Sequence, residues 1–160
     1  MRHLVAVLAL TVGAAPSLPA QHKADMTTHA KGTFDVKVIP QPADDQAGGP
    51  FSRLFLDKRF HGDLEATSHG QMLASGTGGE SSSGAYVALE RVSGTLHGRR
   101  GSFVLQHNGT MRKGVASMTV TVVPDSGTEE LAGISGKMTI IIAGGTHSYA
   151  FEYTLDYARS

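Results

Sequence analysis

Glu90 and His107 are the residues of this chain with the clearest capacity for chemistry. Both lie in the stretch Gly84 to Thr110, GAYVALERVSGTLHGRRGSFVLQHNGT. The stretch reads as two strands joined by a Gly-Arg-Arg-Gly turn. Successive strand residues point to opposite faces, so Tyr86, Ala88, Glu90 and Val92 share one side, with Glu90 its lone carboxylate. A carboxylate and an imidazole on neighbouring strands can act as general acid and base, with a tyrosine orienting the substrate. The same residues can instead form a buried network that fixes register, or a polar patch that binds a ligand. Lys58, Tyr86, Tyr149 and Tyr153 are the other polar residues expected on inward faces, and they are the candidate binding residues. Lys58 is expected to neutralise Glu90, because a buried charge is costly unless paired.

Other residue types carry less. The eight histidines include no HxH or HExxH pair, and the chain has no cysteine. Metal ligation needs several convergent donors, so neither a metal site nor another cofactor is expected. By alternation His61 and His69 face outward and His107 and His147 inward. Ser126-Gly127-Thr128 and Ser81 to Ser83 lie in glycine-rich turns, outside any G-x-S-x-G elbow. Arg99-Arg100 reads as a solvated turn.

The elements that must position these residues are strands. Thr33 to Ile39 alternates, with Phe34, Val36 and Val38 on one face. Ser52 to His61 places Leu54, Leu56, Lys58 and Phe60 together, and Asp63 to Ser75 places Leu64, Ala66 and Ser68 together. Further strands span Ala85 to His97, Ser102 to Met111, Val115 to Val123, Ile134 to Ala143 and His147 to Tyr157. PQPADDQAGGP and GTGGESSS are loops on composition. No segment has a 3.6-residue period, so little helix is expected. Eight alternating strands with mostly short connections predict an antiparallel meander. A meander leaves two exposed edges unless it closes. A closed eight-stranded barrel has a lumen that side chains fill or that holds one small ligand. If Gly98 to Gly101 is the loop, Val92 opposes His107 and Glu90 opposes Gly109. An Arg112-Lys113 turn sets Leu105 against Val120 and His107 against Met118. A loop from Ala143 to Thr146 sets Ile140 against Tyr149 and Met138 against Phe151. All three hairpins then agree on which face is inside.

The runs YVALERVSGTLHGRRGSFVLQHNGT, VVPDSGTEELAGISG and HSYAFEYTLDY resemble the uncharacterised bacterial family called domain of unknown function 3224. The resemblance covers about Lys31 to Tyr157. It implies an allene oxide cyclase-like fold, an eight-stranded barrel that agrees with the independent strand count. Fold does not imply activity, and the family has no established reaction to carry over.

Composition excludes some functions. The 160 residues carry 14 basic and 14 acidic side chains, and that balance argues against a nucleic-acid partner. The reading is therefore an all-β, closed eight-stranded antiparallel barrel spanning 31–158, preceded by a flexible lead at 21–30. Its partner is a small apolar or amphiphilic molecule in the lumen. The alternatives are a cofactor-free isomerase or cyclase using Glu90 and His107, and a filled structural barrel. A homo-oligomer fits any of the three.

The first residues read as an address. Leu4 to Ala15 is apolar and shorter than the roughly 20 residues that cross a bilayer, and APSLPA follows. Residues 1–20 are read as a signal peptide, so the protein is expected in the periplasm or outside the cell, with no membrane span after cleavage. N-terminal sequencing of the exported protein should begin near Gln21. An intact Met1 in a membrane fraction would contradict the export reading.

Overall fold

The computed structural model describes residues 26–42, 51–76 and 82–156. The signal segment and residues 21–25 of the lead lie outside them. Eight strands form one closed antiparallel barrel in sequence order. They are β1 (Thr28–Pro40), β2 (Ser52–Gly62), β3 (Leu64–Gly76), β4 (Gly84–Leu96), β5 (Arg99–Arg112), β6 (Val115–Val122), β7 (Ile134–Ala143) and β8 (Thr146–Leu155). The one helical element among the described residues is a 3-10 turn, Glu129–Leu131. Alternation drives the fold as expected: in β3, Leu64, Ala66, Ser68 and Gly70 are buried, while Glu65, Thr67, His69 and Gln71 are exposed. Arg91 points outward on β4, where its Nη2 donates to Ser102 Oγ at 3.0 Å. No described helix is long and apolar enough to cross a membrane.

One hairpin is tighter than the sequence reading has it, and the turn of a second is shifted by one residue. Arg99 and Arg100 belong to β5, and the turn is His97-Gly98 alone, with φ of 48° and 79°. Such two-residue turns with both φ positive match the twist of the strands they join. Glu90 therefore opposes Leu105 rather than Gly109, and Val92 opposes Phe103 rather than His107. Likewise Lys113-Gly114 makes the next turn, so Leu105 opposes Val122 and His107 opposes Val120. Both corrections change the pairing by an even number of residues, so no side chain changes face. The β7–β8 register is as read, with Ile140 against Tyr149 and Met138 against Phe151.

β1 also starts earlier than the expected Thr33. Thr28 to Lys31, read as part of a flexible lead, pairs with β8 and buries Ala30 to 2% exposure. The local sequence is polar, and β8 recruits it because an unpaired edge would otherwise remain.

The barrel has two unlike ends. At the base lie the β2–β3 and β4–β5 turns and the β6–β7 connection. The last folds back over the lumen and buries Leu131 at 1% exposure. Ser126 Oγ accepts the Val104 N–H at 3.0 Å and donates to Val123 O at 2.6 Å, while Thr128 Oγ1 accepts the Ser102 N–H at 3.0 Å. Ser126 and Thr128 thus serve the turn. Above this plug, Phe60, Leu64, Leu96, Phe103, Leu105 and Phe151 fill the lower lumen. At the opposite end, the mouth, inward apolar residues such as Met118 and Ile142 are exposed. β6 and β7 meet in register only at Thr121 and Lys137. Towards the mouth they part around a slot of about 380 Å³, lined by Met118, Val120, Met138 and Ile140 among others.

Three inward tyrosines each face a glycine across the sheet: Tyr149 opposes Gly32, Tyr86 opposes Gly109 and Tyr153 opposes Gly136. A ring that lies against the neighbouring strand needs the room a missing side chain leaves. A Cβ on Gly32 would sit 1.9 Å from His61 O and 2.6 Å from Tyr149 Oη. Gly32→Ala should therefore lower stability by about 2 kcal/mol or more. Gly98→Ala, strained only by its positive φ, should cost about 1 kcal/mol. Thermal melts of the two variants give the order, and the reverse order would show that the Tyr149–Gly32 approach is not tight.

Candidate functional site

Glu90, Lys58, Ser68 and His107 come together inside the barrel, one from each of four consecutive strands, β2 to β5. Alternation turns each inward, and the registers bring them level. Glu90 has no solvent exposure, and Lys58, Ser68 and His107 are exposed by 6%, 1% and 3%. Lys58 Nζ donates to Glu90 Oε2 at 2.7 Å, and Ser68 Oγ donates to Oε1 at 2.5 Å. Lys58 Nζ also lies 5.0 Å from the Phe34 ring centroid and 5.8 Å from that of Phe60. The two ring faces supply a second partner for its charge.

His107 Nε2 stands 2.9 Å from Glu90 Oε2. That distance suits a hydrogen bond but the direction does not, and Nε2 has no well-aimed partner among the described residues. The contact is close and electrostatic. Sequence reasoning placed Ser68 inward without giving it a role; its signal was a small hydroxyl residue in an otherwise apolar inward row.

Burial alone would raise the Glu90 pKa. The close His107 imidazole, the Lys58 charge and hydrogen bond, and the Ser68 hydroxyl outweigh it and hold the pKa down at about 2, from 4.5. Such a carboxylate is ionised at neutral pH and has little affinity for a substrate proton. Burial first, and then the Glu90 charge, raise the Tyr86 pKa above 10, so its phenol stays protonated.

The candidate binding residues divide. Lys58 and Tyr86 border the Glu90 cluster. Tyr149 and Tyr153, expected among the binding residues, are instead bonded into the fold. Tyr149 Oη accepts the Leu64 N–H at 2.9 Å and donates to His61 O at 3.3 Å. Burial raises its pKa, with the Leu64 bond opposing and the Asp63 and Glu65 charges adding. Tyr153 Oη lies 2.8 Å from His97 Nδ1, and His97 Nε2 is 3.6 Å from Asp63 Oδ2. Asp63 in turn accepts the Lys31 N–H at 2.9 Å. These bonds tie the base together. Their signal in the sequence was only that of inward polar rings, which alternation cannot tell from ligand-facing ones.

His61 and His69 face outward, beside Asp35 and Asp57 respectively, and His147 turns in against Phe34 with ring centroids 5.2 Å apart. No group of three or more metal-ligating side chains occurs among the described residues. A groove of about 870 Å³ runs near His147 and Lys58. Its walls take side chains from both faces of the sheet, so it wraps the β1 edge and is not a lumen chamber.

Sequence reasoning missed the mouth. Val38, Met111, Met118 and Ile142 point inward yet are 48%, 37%, 40% and 63% exposed. Alternation gives their face but not their height in the barrel.

Removing the Glu90 charge should strand Lys58. Glu90→Gln is expected to cost about 3 kcal/mol, and adding Lys58→Met should recover more than half of it. Because the folded pKa lies below the unfolded one, the Glu90 contribution is fully present above about pH 4.5. It fades as pH falls towards about 2, a loss on the order of 3 kcal/mol. Chemical denaturation across that range should show a shallower slope in Glu90→Gln. A single variant as stable as the parent, uncoupled to Lys58, would end the structural-pair account.

Comparison with known proteins agrees with this architecture. A crystallised protein of unknown function from Shewanella oneidensis MR-1, of the DUF3224 family, is 44% identical, with a TM-score of 0.76. The alignment covers 83% of this chain and all of that one. No curated protein matches the chain. The profile of the family described as "Protein of unknown function (DUF3224)" matches residues 30–153, nearly the whole barrel from β1 into β8, and the chain belongs to that family.

Proposed function

We propose that this protein is exported and binds a small amphiphilic molecule at the mouth of its barrel. The carrying observation is the change in burial along one inward face. The lower lumen is filled, while Val38, Met111, Met118 and Ile142 present apolar surface to solvent around the rim. Apolar side chains exposed on a concave inner surface mark a ligand site more than a folding need. The slot between β6 and β7 adds an opening of about 380 Å³ beside the rim. Export is supported by the apolar segment Leu4 to Ala15, which precedes the family match beginning at residue 30.

The isomerase or cyclase alternative asks Glu90 to accept a proton, and a carboxylate held at about 2 is a weak base for that task. Binding makes no such demand. Titration with N-phenyl-1-naphthylamine, an uncharged dye that brightens in apolar sites, should give saturable uptake of one dye per chain. Ile142→Lys, at the rim, should weaken uptake about tenfold or more, as burying an unpaired charge predicts. Val115→Lys, outward on β6, should leave it unchanged. No saturable uptake, or equal loss in both variants, would favour the filled structural barrel.

A further inference from the structure

We propose that the mouth selects uncharged amphiphiles, whose hydroxyl or carbonyl end reaches down to Tyr86 while the apolar body lies against the rim. The inference rests on the mouth-binding reading above and names the chemical class that site would take.

Inward polar groups in this barrel are almost all occupied. Lys58 and Ser68 bond to Glu90, Tyr149 to Leu64 and His61, and Tyr153 to His97. Two atoms stand apart. His107 Nε2 has no directed hydrogen bond, although its side chain is 3% exposed. Tyr86 Oη makes no hydrogen bond among the described residues, and its residue is half-buried. His107 Nε2 is sealed against Glu90, whereas the Tyr86 hydroxyl is free to bond a ligand group, a contact worth about 1 kcal/mol.

The two atoms belong to one step of the lumen wall. Tyr86 opposes Gly109, the next inward residue after His107 on β5. A Cβ on Gly109 would lie 2.1 Å from Tyr86 Cε1, so the tyrosine ring lies flat over that glycine, between the buried cluster and the rim. Met111 stands further out on β5, Met118 on β6 opposes Gly109, and both are exposed. A ligand entering from the mouth therefore meets apolar surface around the unpaired Tyr86 hydroxyl.

Charge decides the class. Lys58 and Glu90 are 2.7 Å apart and neutralise each other, so neither is free to meet an ionised head group. An anion at the Tyr86 hydroxyl would be repelled by the Glu90 carboxylate, whose charge acts on that phenol. A cation would face Lys58. An ion that sheds its water here gains no new counter-ion, and that transfer is unfavourable. A neutral hydroxyl or carbonyl loses little and can bond to Tyr86 Oη.

The test is displacement of N-phenyl-1-naphthylamine from the mature protein at pH 8 by 1-decanol, decanoate and decyltrimethylammonium. Decanol is expected to displace half the dye at a concentration about tenfold or more below either ion. Because any apolar site favours the alcohol somewhat, Tyr86→Phe supplies the specific readout. Losing one hydroxyl partner should cut the decanol advantage about fivefold, with a thermal melt confirming that the variant is folded. Decanoate or the ammonium competing as well as decanol overturns the proposal, as does an unchanged decanol advantage in folded Tyr86→Phe. An absence of dye uptake, or dye that none of the three displaces, refutes the mouth-binding reading and this inference together.

Discussion

A carboxylate with no access to water sets the terms for the middle of this barrel. Glu90 can be buried as an anion only because Lys58, Ser68 and His107 converge on it from β2, β3 and β5. That convergence requires four strands to hold their relative register at once. A slip of one residue on any of them would send a partner to the outer face. The cluster is therefore a checkpoint on the sheet as well as a load upon it, and it resembles the polar contacts that fix register in other folds. Lys58 is held further by the faces of Phe34 and Phe60, which links the ion pair to the aromatic packing below.

Below the cluster the barrel behaves as a packed core. Phenylalanine and leucine side chains fill it, and the tyrosines reach past them to the turns of the base. Tyr149 bonds to backbone at the β2–β3 turn and Tyr153 to the His97 turn. The glycines opposite them let bulky rings lie against neighbouring strands and keep the wall thin where the lumen is most crowded. The base is closed by chain as well as by side chains, since the β6–β7 connection carries Leu131 into the lumen. Its serine and threonine hydroxyls satisfy strand N–H groups that the sheet leaves unpaired.

Above the cluster the same inward face changes character. Packing gives way to exposed methionine, isoleucine and valine, and the β6–β7 seam parts. On the proposed reading, the chemistry left in that region is recognition. Its carboxylate is neutralised and weakly basic, while Tyr86 retains bonding capacity.

The sequence by itself determined the faces. Strict alternation in Tyr86-Ala88-Glu90-Val92 and in Leu54-Leu56-Lys58-Phe60 sends these side chains inward whatever the exact pairing, because strand geometry has a period of two. For that reason the register errors at His97-Gly98 and Lys113-Gly114 left the pairing of Lys58 with Glu90 intact. The even strand count and the cost of open edges likewise implied closure. Only the tertiary structure decided heights and ends. Whether an inward tyrosine bonds to backbone, as Tyr149 does, or keeps a hydroxyl without a partner among the described residues, as Tyr86 does, depends on which turns and strands lie level with it around the barrel. Thr28 to Lys31 is a strand only because β8 needs a neighbour, and Leu131 is a plug only because the connection folds over the base. Those outcomes rest on contacts between residues far apart in the chain, and local periodicity carries no record of them.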